Sequence, residues 1–197
     1  MKHILKYYLP ICILLLSCDS RDNIKRQYEQ LTSDTISLCL NQMMSVSYDG
    51  DDILQVKTNC MSNCAKKMVV FADTSLCTTC YIKQMPNWYN LIDSVKRDYG
   101  DSVEFCFIIN VQKQKLDEIL KTFEQVNFDY PCFLDTSCVF RRANKSIPDN
   151  NLFHTFLLDE SNNVIMVGNP QTNKKIRRLL FQYLKDLHKK SMCLKDT

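Results

Sequence analysis

Two cysteines spaced by two residues, in Cys77-Thr78-Thr79-Cys80, stand where the chain changes periodicity. Upstream, Met68-Val69-Val70-Phe71-Ala72 is an unbroken apolar run, as expected of a short strand buried on both faces. Downstream, Ile82, Met85, Trp88-Tyr89, Ile92 and Val95 recur at near-helical spacing until Tyr99-Gly100, so a helix is predicted over 78–98. A strand that hands over to a helix leaves the sheet at its carboxyl end. The next strand must then return parallel through a right-handed crossover.

The remaining segments continue that alternation. Val103 to Ile109 reads as a second buried strand, and Lys115 to Val126 as a helix with Leu116, Ile119-Leu120 and Phe123 on one face. Tyr130-Pro131-Cys132-Phe133-Leu134-Asp135 reads as a strand entering a turn, and Val139 to Lys145 as a short helix. Thr155–Leu158 and Val164–Val167 are two strands joined by the loop Asp159-Glu160-Ser161-Asn162-Asn163. A helix from Thr172 to His188 closes the fold. The class is α/β: a mixed central sheet flanked by helices, over residues 67–190, with an N-terminal extension. Residues 18–66 read as a polar tether followed by an irregular extension, in which Ile36–Leu40 suits either a helix or a strand. Asp49-Gly50-Asp51-Asp52 is a turn signal, and residues 191–197 form a tail.

Residues 1–17 have the layout of a secretory signal, with Lys2, His3 and Lys6 ahead of an apolar run from Tyr7 to Leu16. That run is too short for a comfortable transmembrane span, which takes roughly 20 apolar residues. Leu15-Leu16-Ser17-Cys18 resembles the bacterial lipobox, in which the peptidase cuts before the cysteine and its sulfur carries diacylglycerol. Lipidation at Cys18 is therefore expected, giving a cell-envelope protein anchored in a membrane; an ordinary cleaved signal or an uncleaved anchor is the alternative. Without Lys2 and Lys6 the chain keeps one more basic than acidic residue, so no nucleic-acid partner is expected. The late basic pairs Lys174-Lys175, Arg177-Arg178 and Lys189-Lys190 read as the solvated face of the last helix.

Eleven cysteines are heavy usage, and export would place them in an oxidising compartment. Setting Cys12 and Cys18 aside leaves nine, an odd number, so at least one thiol stays free or pairs with another molecule. Cys77 would cap the helix start, where unpaired N–H groups and the dipole stabilise a thiolate. Cys80 lies one turn on, placed to attack a mixed disulfide and release the partner.

The order of elements and the place of the C-x-x-C resemble the thioredoxin fold, and more narrowly the TlpA-like periplasmic thiol-disulfide oxidoreductases. Tyr130 to Cys138 matches the family's inserted Y/F-P-V-x-L-D-x-x-G segment, and Thr155-Phe156-Leu157-Leu158-Asp159 its T-F-L-I-D strand. The resemblance covers residues 66–190 and implies catalytic Cys77 and Cys80, with protein thiols or disulfides as partners, no bound cofactor and a monomer. It also implies a substrate-facing loop at Phe153 and His154, where relatives place a cis-proline. Other departures are Leu76 in place of Trp, Pro86 six rather than five residues after Cys80, and Lys83 in place of a carboxylate.

Competing readings stand beside these. Cys60-x3-Cys64 with Cys77-x2-Cys80 has the look of a four-thiolate zinc site, but export argues for oxidation and no metal is expected. Cys60 and Cys64 are a candidate disulfide, or one of them exchanges with the active pair; Cys132 and Cys138 bracket a turn and are another candidate bridge. Cys106, between Phe105 and Phe107, reads as inert packing, and Trp88 as core. His154 suits either a proton shuttle or a plain hydrogen-bonded histidine, and the plain reading is preferred. The functional expectation is a membrane-tethered thiol-disulfide oxidoreductase. Its rival is a non-catalytic binding or assembly module whose disulfide serves stability.

Overall fold

The computed structural model describes residues 21–48, 53–55, 65–73 and 77–193. A seven-stranded mixed sheet runs through it in the order β2-β1-β5-β4-β3-β6-β7. The strands are β1 Met44–Tyr48, β2 Ile53–Gln55, β3 Lys66–Ala72, β4 Val103–Asn110, β5 Cys132–Asp135, β6 Thr155–Leu158 and β7 Val164–Val167. The helices are α1 (residues 21–32), α2 Thr78–Gln84, α3 Tyr89–Tyr99, α4 Leu116–Val126, α5 Val139–Ala143 and α6 Lys174–Cys193. The central strands β5, β4 and β3 are parallel, whereas β6 and β7 add an antiparallel pair.

The missing polar alternation in β3 follows from its place at the middle of the sheet. Met68, Val70 and Ala72 face one core, with Leu91, Ile92, Phe107, Ile119 and Leu180, while Val69 and Phe71 face a second core with Leu31, Ile36, Phe140 and Phe153. Such two-sided burial requires apolar residues at every position. Lys67 is the exception: its stem is buried and its Nζ donates to the Ala65 carbonyl at 3.3 Å.

Two corrections concern the sequence-derived elements. The helix expected over 78–98 is two helices, α2 and α3, joined by a 3-10 turn over Met85–Trp88 that contains Pro86. Proline brings no N–H to the helical ladder, which accounts for the break. Gly100, with φ of +60°, ends α3 as the stop signal required. The second correction is larger. The extension expected to be irregular supplies two strands, because β1 pairs antiparallel with β2 and also with β5, Val46 opposite Cys132. Thr35 bridges to Asn163, the Ile36 amide donates to the Asn162 carbonyl at 2.9 Å, and Leu31, Ile36 and Leu40 are buried in the second core. A boundary at residue 67 therefore cuts through one sheet. The last helix also runs further than expected, to Cys193. Among the described residues no helix is long and apolar enough to cross a membrane.

Candidate functional site

Parallel β3 and β4 end side by side, Ala72 opposite Ile109, and the chain beyond each builds the site. Ligands of open α/β sheets gather outside the carboxyl ends of the strands. Cys77 caps α2 in extended backbone (φ −67°, ψ 100°), and its carbonyl accepts from the Tyr81 amide at 2.9 Å. Cys77 and Cys80 form a disulfide with Cα atoms 5.3 Å apart, and both residues are exposed. Cys77 Sγ also lies 3.4 Å from Thr79 Oγ1. A cleft of about 90 Å³ opens beside Cys77, between Thr78-Thr79 and the Val111, Gln112 and Lys115 of the β4–α4 connection, with Glu118 of α4. Sequence reasoning missed these neighbours. The signal was there in principle, since the loop after the strand parallel to the dithiol strand must lie next to it.

The structure does not bring Phe153 and His154 to the surface. Both are 3% exposed, so the side chains of the loop expected to face substrate are turned into the protein. Phe153 packs in the second core. The His154 ring bonds the Pro148 carbonyl through Nε2 at 2.9 Å, its Nδ1 is buried without a partner, and it lies 5.2 Å from the Phe71 ring. Burial holds the imidazole below its ordinary value despite the Pro148 carbonyl, which favours the charged form. Its amide donates to the Asn151 carbonyl, and its carbonyl accepts from Phe71 N at 2.8 Å.

Arg141 organises the segment that carries it. Its guanidinium donates to the Ile147 and Pro148 carbonyls at 2.8 and 3.2 Å, pairs with Asp149, and lies 3.5 Å from Asp73 at the end of β3. The contact with Asp73, 68 residues upstream, leaves no local pattern to read.

The other cysteines divide by environment. Cys132 and Cys138 are free thiols, so the expected bridge is not formed. Cys132 is fully buried in β5, its Sγ directed to the Tyr130 carbonyl at 3.4 Å, whereas Cys138 is exposed beyond the turn at φ 53° and meets the Asn110 side chain at 3.4 Å. The turn between them is held by Asp135, whose carboxylate accepts from the amides of Ser137, Val139 and Phe140, and this separates the two sulfurs. Cys106 is buried, and burial raises both its thiol and that of Cys132 well above the ordinary value. Cys18, Cys60 and Cys64 lie outside the described residues. Among the described residues no group of three or more histidines, cysteines or carboxylates is arranged to hold a metal ion.

No protein-family model matches the sequence. No curated protein matches it either. Among solved structures the chain is similar to an uncharacterized thioredoxin-like protein from Porphyromonas gingivalis, 15% identical over 74% of this chain and 89% of that one, with a TM-score of 0.42. It is similar to the exposed lipoprotein thioredoxin of Streptococcus pneumoniae, 9% identical over 73% and 98% of the two chains, with a TM-score of 0.43. A C-terminal domain from Bacteroides fragilis is 15% identical over 79% and 99%, with a TM-score of 0.45. The assignment rests on the molecule itself: with parallel β5, β4 and β3, antiparallel β6 and β7, and a C-x-x-C at the head of the helix after β3, the chain is a thioredoxin-fold protein.

Proposed function

We propose that this protein is a membrane-tethered thiol-disulfide oxidoreductase, anchored through Cys18, that exchanges electrons with protein partners through Cys77 and Cys80. The observation that carries the redox reading is an exposed disulfide at the carboxyl end of the parallel strands, at the head of a helix and beside a cleft. In the oxidising direction a partner thiolate attacks Cys77 Sγ. The Cys77–Cys80 bond breaks and Cys80 leaves as a thiolate. A second partner thiolate then attacks its own mixed disulfide and releases Cys77. Two electrons and two protons pass to the dithiol, and the partner gains a disulfide. Read backwards, the same steps reduce a partner disulfide, with Cys77 attacking and Cys80 resolving. Lys115 and Glu118, which line the cleft beside Cys77, are placed to meet the flanking residues of the partner.

One observation favours a second reading, a binding module with a structural disulfide. The resemblance implies a loop before β6 that pairs with substrate backbone, yet His154 has both its amide and its carbonyl engaged within the protein.

One titration separates the two. A working pair has a reduction potential between about −120 and −270 mV, and a structural bridge lies below about −300 mV. In the first case thiol trapping with mass spectrometry finds Cys77 alkylated first, and Cys80→Ser accumulates mixed disulfides. In the second, both sulfurs resist trapping until the chain unfolds. Mass analysis of the N-terminal peptide tests the anchor, which predicts acyl chains on Cys18.

A further inference from the structure

We infer that the outer face formed by α1, the β7 edge and α6 is seated on the bilayer, so that the protein lies on its membrane instead of hanging from it. This rests on the anchoring of Cys18 proposed above. Ile24, Tyr28, Ile165 and Leu179 are 46%, 45%, 37% and 52% exposed, and they are four of five large apolar residues exposed among the described residues. They are not scattered. Tyr28, Ile165 and Leu179 line one open cleft of about 480 Å³, together with Ile176 and Tyr183, and Ile24 stands one turn from Tyr28 on α1. A contiguous apolar patch of this kind marks a contact surface.

The tether decides what covers it. Residue 21, already helical in α1, follows Cys18 by three positions. At about 3.5 Å per residue, three steps reach about 11 Å. The polar layer on one side of a bilayer is itself roughly 5–8 Å deep. A lipidated Cys18 therefore holds the start of α1 at the headgroups, and the apolar side chains that follow on α1 are the first to meet the acyl boundary. Charge does not choose the occupant: the apolar cleft holds one carboxylate, Asp186, and the cations Lys174, Arg177 and Arg178 line a separate cleft on the other flank of α6 with Arg97. Seating also covers β7, the edge strand on that side of the sheet, whose exposed backbone is otherwise a template for unwanted pairing. The cleft beside Cys77 is lined by other residues, beyond the carboxyl ends of β3 and β4.

The test uses the mature lipidated protein reconstituted in phosphatidylethanolamine–phosphatidylglycerol vesicles with brominated acyl chains, which quench tryptophan on contact. Trp88 is buried in the core and serves as the constant background. Ile165→Trp and Leu179→Trp are expected to lose emission relative to unbrominated vesicles. Lys121→Trp, on the exposed side of α4, is expected to keep its emission. Acylated Cys18 with neither patch tryptophan quenched would overturn the seating and leave the anchor. A doubled molecular mass in detergent with unquenched tryptophans would assign the patch to a second copy and overturn it too. A Cys18 peptide without acyl chains would remove the anchor and the seating together.

Discussion

Cys77 and Cys80 stand outside the sheet at the head of α2, while Cys106 and Cys132 stand within it on neighbouring strands, and the four differ in their surroundings alone. Phe107 pairs with Cys132, so Cys106 is one residue out of step, and its sulfur points to the opposite face. Each buried thiol lies in a different core, Cys106 with Phe71 and Phe156, Cys132 with Phe107 and Phe128. Burial disfavours the thiolate there, and the thiolate is the form that reacts. The exposed pair has exchanged its two S–H bonds for one S–S bond that a partner can reach. Cysteine content alone therefore says little about redox capacity in this chain.

That contrast can be broken most directly by substitution. Cys77→Ser is expected to abolish disulfide exchange with a protein substrate, whereas Cys106→Ala and Cys132→Ala keep the rate of the unaltered protein. A buried substitution that slowed exchange as much would end the distinction. Next comes alkylation of the reduced protein. Cys77 should react at least as fast as a free thiol, while Cys106 and Cys132 wait for unfolding and lag by about three orders of magnitude or more, as followed by peptide mass spectrometry. Stability should divide the sites the other way. Cys106→Ser leaves a hydroxyl in an apolar core and costs about 1–3 kcal/mol. Under reducing conditions Cys77→Ser stays within about 0.5 kcal/mol, and denaturant melts compare the two.

The smallest effects are those of pH. The folded state holds the Cys106 and Cys132 protons above the ordinary thiol value of 9.0, so above that pH the unfolded chain binds fewer protons and stability falls. For His154 the sign reverses. Its folded value lies below 6.5, the unfolded chain binds more protons as acidity rises, and stability is lost as pH falls from 6.5 through the folded value. Thermal melts between pH 5 and 10 should show both flanks as a falling Tm. His154→Gln should flatten the acid flank only.

The contrast also separates what could be read from the sequence. The strands that build the central sheet were legible because two-sided burial leaves unbroken apolar runs, as in Met68–Ala72 and Val103–Ile109. The dithiol was legible because its spacing carries its chemistry. β1 was harder. Met44-Ser45-Val46-Ser47-Tyr48 does alternate, but its partner β5 lies far downstream, and nothing local says that the two meet. Likewise Arg141 and Asp73, or Asn110 and Cys138, are joined only by the folded chain. His154 shows a different limit. A resemblance supplied its position in the fold but not its surroundings, and the surroundings set its role.

The pairing of β1 with β5 and of Thr35 with Asn163 has a consequence for the order of assembly. A chain made from its N-terminus outward carries Met44–Tyr48 long before Cys132–Asp135 exists, and Thr35 longer still before Asn163. Loops that long close slowly, and local contacts form first. The bridge from Thr35 to Asn163 closes a longer loop than either β1–β5 or β3–β6, so the segment made first is stitched in late, and one flank of β5 stays open until β1 arrives.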